Sequence, residues 1–112
     1  MKSVPVVLVC GPQQFSEYEA ERMFEILDRL RTDADLCKVL VHGSSRIFRF
    51  AYIWGTKEAN RGISVSECQE DWDSHETPNL LIAFPGDSAV DRIICQAKKS
   101  EIRVWLIGDD GE

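Results

Sequence analysis

Three short segments of this chain carry residues that could bind a phosphate or a related anion. They span residues 11–14, 42–46 and 85–88, and each follows an apolar run. Each contains a glycine, and glycine lets backbone approach a phosphate closely because it has no side chain. A strand-to-helix turn also presents free N–H groups and the positive end of a helix dipole, which together attract anions. These segments therefore predict an anion-binding site.

The candidate ligand-binding residues have structural alternatives. Arg46 is the cation nearest the loops, and a structural salt bridge is an equal alternative for it. The serines would bond ligand oxygens or, as the safer reading, cap the helices beside them. Asp87 stands where a phosphate would sit and is able to fill that anion site itself. The full set is Gly11, Gln13, His42, Gly43, Ser44, Ser45, Arg46, Trp72, Pro85, Gly86, Asp87 and Ser88.

The residue pattern argues against an enzyme. His42 ends an apolar run beside the predicted site, but no partner carboxylate lies within sequence reach to make it a general base. His75 lies in a polar loop, where solvation is the simplest interpretation. Its neighbours could hold a divalent ion only weakly. We therefore assign no catalytic residue and no metal, and no cofactor is certain.

Alternating strands and helices must position these loops. The apolar patterns predict strands at Val4–Cys10, Cys37–Val41, Ile63–Glu67, Asn79–Phe84 and Ile102–Ile107. Helices are expected from Ser16 through Leu30, over Arg46–Ala59, and over Ser88–Ser100. This order predicts one α/β domain over residues 1–112, a small Rossmann-like, doubly wound parallel sheet of about five strands and three helices. Such sheets bind ligands at the carboxyl ends of their strands, where the three loops should converge.

The loops, in this order and spacing, resemble the YspA-like branch of the SLOG superfamily, the Rossmannoid group that includes the LONELY GUY enzymes. The resemblance covers nearly the whole chain. It is carried by Gly11-Pro12-Gln13-Gln14-Phe15, His42-Gly43-Ser44-Ser45-Arg46, Asp71-Trp72-Asp73-Ser74-His75 and Ala83-Phe84-Pro85-Gly86-Asp87-Ser88-Ala89-Val90. The resemblance implies a Rossmannoid fold and a nucleotide-derived ligand, such as an ADP-ribose-type molecule, with Trp72 close to the pocket.

This chain departs from the family pattern at residues that would do chemistry. Gln13 stands where the family has an arginine, which removes a cation able to grip a phosphate. Asp87 and Ala89 replace glycines, and Val90 replaces a threonine. The resemblance therefore implies a non-catalytic protein that senses or sequesters its ligand.

The second helix has more apolar residues than one buried stripe needs. Ile47, Phe50, Ala51 and Trp54 would form that stripe, which leaves Phe48, Tyr52 and Ile53. These three either enlarge the core or form an interface with another chain. The second interpretation gives the alternative function, a protein-interaction module or inhibitor of the kind that a phage or mobile element encodes to act on a host protein. We also expect a homo-oligomer.

Composition excludes several classes of partner. The net charge of −6 opposes direct binding to nucleic acid. The chain has no apolar run near the roughly 20 residues that span a bilayer, and we expect a cytoplasmic protein without membrane contact. Trp105 is expected to pack as core or edge cover. The four cysteines, which have no metal-binding or paired spacing, are interpreted as buried free thiols: Cys10, Cys37, Cys68 and Cys95.

Overall fold

The computed structural model describes residues 3–42, 45–67, 77–86 and 88–107. Strands and helices alternate along most of this chain. In order they are β1 (Val6–Cys10), α1 (Glu17–Asp33), β2 (Lys38–His42), α2 (Ser45–Gly55), a short 3-10 turn (Glu58–Asn60), β3 (Ser64–Glu67), β4 (Leu80–Ala83), α3 (Ser88–Lys99) and β5 (Arg103–Leu106).

The five strands form one parallel sheet in the order β3-β2-β1-β4-β5. The central strand β1 pairs with β2 on one side and with β4 on the other, so that Leu8 lies between Leu40 and Leu81. The direction in which strands are added reverses at β1. The structure thereby confirms the small, doubly wound, Rossmann-like α/β fold, and it brings the carboxyl ends of β1 and β4 side by side.

Helices cover both faces of the sheet. Val7 and Val9 of β1 point to the face packed by α1 and α2, which we call the two-helix face. Leu8 and Cys10 point to the opposite face, which packs against α3 and which we call the α3 face. Burial on both sides explains why β1 is apolar at every position, since Val7 to Cys10 are buried and Val6 is partly buried.

The helix α1 begins as the sequence predicts. The Ser16 side chain accepts a hydrogen bond from the Glu19 N–H at 3.1 Å, and the Glu19 carboxylate accepts one from the Ser16 N–H at 2.9 Å. This reciprocal capping box satisfies two N–H groups that the helix itself leaves unpaired. Four turns then bury one apolar stripe against the sheet, with Met23, Leu27 and Leu30 fully inside.

The helix α2 is shorter than predicted, because it ends at Gly55 and not at Ala59. A buried asparagine causes the difference. Asn60, which is 1% exposed, donates from Nδ2 to the Trp54 carbonyl at 2.6 Å. This bond folds the chain back across the end of the helix. The close approach of β3 also favours glycine at 55, where a Cβ would lie 2.8 Å from the Val65 side chain.

The prediction that the cysteines are buried is wrong at two positions. Cys10 is buried in the sheet, but Cys37 and Cys95 are exposed. Cys37 lies in the connection before β2, and Cys95 lies on an outer flank of α3, so neither faces the core. Cys68 lies outside the described residues. Among the helices described, none is both long and apolar enough to cross a membrane.

Candidate functional site

The first and third predicted loops are in contact, and the contact is made by the chain's own side chains. A Cβ on Gly86 would lie 2.7 Å from the Pro12 Cβ and 2.8 Å from its Cγ. Phe15 and Phe84 meet edge to face behind this contact, with ring centroids 5.0 Å apart. The ring of Pro12 therefore occupies the space that a side chain at position 86 would need, although Gly86 itself is exposed.

Gly11 serves packing in a similar way. A Cβ at this position would lie 3.0 Å from the Ile47 Cδ1 and 3.1 Å from a ring carbon of Phe15. Both neighbours are fully buried. Glycine is thus needed here because the chain leaving β1 passes directly beneath the start of α2.

Arg46 ties the first loop to α2. Its Nε donates a hydrogen bond to the Phe15 carbonyl, and its guanidinium carbon lies 5.6 Å from the centroid of the Phe50 ring. The side chain thus braces the loop through a backbone carbonyl and an aromatic face. Among the described residues, these contacts do not include the carboxylate expected of a salt bridge.

The remaining loop residues are divided between exposed positions and positions that cannot be described. Gln13, Pro85 and Ser88 are exposed, and Ser88 is the first residue of α3. Outside the described part of the chain lie Gly43, Ser44, Trp72, Asp87 and the Ser45 side chain. The acidic residues that could have held a metal around His75 also lie outside it. Among the residues that are described, no group of three or more His, Cys, Asp or Glu could hold a metal ion.

His42 lies in a cleft on the α3 face. The cleft has a volume of about 400 Å³ and separates the last residue of β2 from one flank of α3. The helix contributes residues at spacings of three and four, which place them on one side of it. The helix residues that line the cleft, besides Ala89, are Arg92, Ile93, Cys95, Gln96 and Lys99. We call this space the His42 cleft.

Two cationic side chains, Arg92 and Lys99, line the His42 cleft in a chain whose net charge is −6. Arg92 and Lys99 are two helical turns apart, about 10 Å along the helix axis. Gln96 lies between them and offers both donor and acceptor atoms. Ile93 is 4% exposed and gives the cleft an apolar floor. Sequence reasoning missed these residues, because cations beside an amphipathic stripe have the usual pattern of a solvated helix flank.

The apolar surplus of α2 divides into two parts. Tyr52 is 56% exposed and Ile53 is 46% exposed. Phe48 is partly buried against the core, and its ring centroid lies 6.1 Å from that of Tyr52. Of the expected stripe, Ile47, Ala51 and Trp54 are fully buried, and Phe50 is partly buried against the core. We call Phe48, Tyr52 and Ile53 the α2 patch.

The chain was compared with protein-family models, with curated proteins and with solved structures, and none of the three comparisons found a match.

Proposed function

We propose that this protein binds a small anionic, nucleotide-derived ligand in the His42 cleft without transforming it. The observation that carries the proposal is the cleft itself, about 400 Å³ in volume and lined by Arg92, Lys99 and His42. Ligand sites in proteins of this size commonly enclose about 300–1,000 Å³ and combine apolar walls with a few polar groups. A cavity of this volume suits a nucleotide-sized molecule.

The position of the cleft supports this class of ligand. His42 is the last residue of β2, and Ala89, which also lines the cleft, is the second residue of α3. Doubly wound sheets bind nucleotides outside the carboxyl ends of their strands. The end of the His42 cleft that His42 and Ala89 line is therefore at the carboxyl edge of the sheet, where this fold most often holds a ligand. The resemblance to the SLOG superfamily favours the same class of ligand.

The internal contacts of the loops favour a site away from Gly11. Gly11 is buried against Ile47, and Pro12 packs beside Gly86, which itself remains exposed. Arg46 is engaged with Phe15 and Phe50. The proposed anion partners are Arg92 and Lys99, because both line the His42 cleft, with Gln96 as a hydrogen-bonding group between them. The chain keeps the Rossmann-like fold, but its loops depart from the family pattern at residues that would do chemistry. This combination favours a protein that binds a ligand without catalysing a reaction.

A thermal-shift screen tests the proposal directly. ADP-ribose, NAD, cyclic nucleotides, nucleoside monophosphates and free nucleosides are added to the purified protein in turn. A ligand at about 100 times its dissociation constant stabilises the folded state by roughly 2.7 kcal/mol. We expect a rise in Tm with a phosphate-bearing compound and none with the matching nucleoside.

Two neighbouring lysines provide a matched pair of variants for that ligand. Lys99→Ala should reduce the ligand-induced rise in Tm, since Lys99 lines the cleft. Lys98→Ala removes the same charge from an exposed position that does not line it and should leave the rise unchanged. Equal losses in the two variants, or no rise in Tm with any compound, would contradict the proposal.

The α2 patch supports a second candidate function, a protein-interaction module. Two large side chains on adjacent exposed positions, Tyr52 and Ile53, remain about half accessible to water. Exposed aromatic and aliphatic patches of this kind commonly mark interfaces. In this alternative the fold acts as a scaffold, and α2 meets a host protein or a second copy of the chain. Capture of a partner by the native protein, lost on Tyr52→Asp, would support it.

A further inference from the structure

The strand β5 lies at one edge of the described sheet and has an unpaired side. Among the strands that the structure describes, its only neighbour is β4. The Ile107 N–H bonds the Ala83 carbonyl at 2.8 Å, so odd-numbered residues of β5 direct their backbone groups toward β4. By alternation, Val104 and Leu106 direct their N–H and C=O groups outward. Such an edge is a template for another extended chain.

The side chain of Trp105 lies at the centre of this edge. It is partly buried on the two-helix face and lines three cavities, with volumes of about 880, 460 and 400 Å³. Together they follow the length of β5, from Asn79 at the amino end of the sheet to Ile107 at the carboxyl end. The sequence predicted that Trp105 would serve as core or edge cover, but the structure leaves one side of it bordering open space.

Three arginines line the same cavities as Trp105. Arg22 and Arg29 reach the cavities from α1, and Arg103 reaches them from β5 itself. Within the described part of the chain, no hydrogen bond or ion pair engages the side chains of Arg29 and Arg103. Two carboxylates, Glu25 and Glu101, also line the cavities but do not pair with these arginines. Tryptophan and arginine are the residue types most enriched where binding energy concentrates.

We propose that β5 binds an extended acidic peptide segment of a partner protein by strand addition. The outward N–H and C=O groups of Val104 and Leu106 would bond the backbone of the peptide. Every second side chain of the peptide would point to the two-helix face. These side chains would be carboxylates, which would meet Arg29 and Arg103 beside Trp105. The side chains between them would be apolar and would cover Leu106, which is 52% exposed on the α3 face. Recognition by strand addition takes its affinity from the backbone and its specificity from alternate side chains.

Charge favours an acidic partner over a second copy of this chain. If β5 paired with itself about a two-fold axis, both copies would present the same face on the same side of the joined sheet. The arginines of the two copies would then lie on the same face of the interface between the two β5 strands. Like charges opposite one another in a sheet are destabilising. An acidic segment places carboxylates at the same positions.

The proposal is tested with two fluorescein-labelled peptides that differ only in charge. One alternates glutamate with valine and the other alternates lysine with valine, and both are long enough to span β5. Fluorescence anisotropy at low ionic strength measures their binding to the native protein. We expect the acidic peptide to bind at least about tenfold more tightly than the basic one. Added salt should weaken its binding.

Charge-reversal variants locate the binding to the edge. Arg103→Glu should weaken the acidic peptide about tenfold, and Arg49→Glu, at an exposed position on α2, should have no effect. Leu106→Pro removes an outward N–H, and Leu106→Ala keeps it, so only the proline variant should lose the backbone contribution. Circular dichroism checks that each variant folds. Equal binding of both peptides, no binding of the acidic peptide, or equal effects of Arg103→Glu and Arg49→Glu would overturn the proposal.

Discussion

Gly86 and Pro12 touch across the carboxyl edge of the sheet so closely that a Cβ on Gly86 would lie 2.7 Å from the Pro12 Cβ. Pro12 follows β1, and Gly86 follows β4. The contact therefore joins the two connections at which the strand order reverses, the place where this type of sheet most often opens to a ligand.

Gly86→Ala should destabilise the fold by about 1–3 kcal/mol, because the added methyl group forces Pro12 or the backbone to move. Urea denaturation would measure the loss. The same substitution made in a Pro12→Ala background removes the ring that the methyl meets. There Gly86→Ala should cost clearly less, since contacting residues give non-additive effects. If the cost were the same in both backgrounds, the contact would not be its cause.

Arg46→Ala separates a structural role from a ligand-binding role. The substitution removes the hydrogen bond to the Phe15 carbonyl and the contact with the Phe50 ring, at a cost of about 1 kcal/mol. We expect a lower Tm without ligand but an unchanged rise in Tm when ligand is added. If the Tm without ligand were unchanged and the ligand-induced rise were lost, Arg46 would instead be a ligand-binding residue.

Asn60→Leu should destabilise the protein by about 2–3 kcal/mol, because it leaves the buried Trp54 carbonyl without its side-chain partner and removes one of the two partners of Arg31, which keeps Asp28. Asn79→Ala provides the comparison. The Asn79 side chain accepts a hydrogen bond from the Val6 N–H at 3.0 Å at an exposed position, where water replaces the lost group. Chemical denaturation should give Asn79→Ala the smaller loss, about 1 kcal/mol or less.

Ser16→Ala should cost about 1 kcal/mol, since it removes the side-chain oxygen that caps α1. Ser100→Ala changes the same atoms at an exposed position just past the end of α3 and should be nearly neutral. The free energy of unfolding from thermal and denaturant titrations would distinguish the two. A neutral Ser16→Ala would mean that water caps this helix equally well.

Tyr52→Asp should abolish self-association if the α2 patch is a homo-oligomer interface, because the interface would then bury a charge. Light scattering after size-exclusion chromatography measures the mass of the native protein and of the variant. Tyr18→Asp is the matched control, as Tyr18 on α1 is 59% exposed and Tyr52 is 56% exposed. Equal effects at both positions, or a native protein that is monomeric at high concentration, would count against an oligomer formed through α2.

Much of the fold follows from local patterns in the sequence. The uniformly apolar run ending at Cys10 predicts a central strand, and Ser16 with Glu19 predicts the start of α1. The end of α2 was less accessible to prediction. It depends on Asn60, whose side chain bonds the Trp54 carbonyl, and an isolated asparagine in a sequence has the pattern of a loop residue. The contact exists only once the chain has turned back.

The candidate site was predictable in outline but not in detail. The sequence predicts loops at the carboxyl ends of the strands, and the contact of Pro12 with Gly86 confirms that two of them meet. It does not reveal that a proline ring lies against the glycine. It also cannot show that Lys99 lines a cleft and Lys98 does not, because that distinction depends on which flank of α3 faces the β2 half of the sheet.

The pairing of β1 with two strands distant from each other in the chain has a kinetic consequence. Val6 pairs with Lys38 in β2, but its N–H also bonds the side chain of Asn79, 73 residues away. Closing the longer loop costs more entropy, so we expect the β1–α1–β2 half to organise before β4, α3 and β5 dock. The His42 cleft takes His42 from the earlier half and its cations from α3. A refolding chain would therefore regain the proposed ligand binding only in its last cooperative step. Stopped-flow refolding in the presence of ligand would follow that step separately from the recovery of helix.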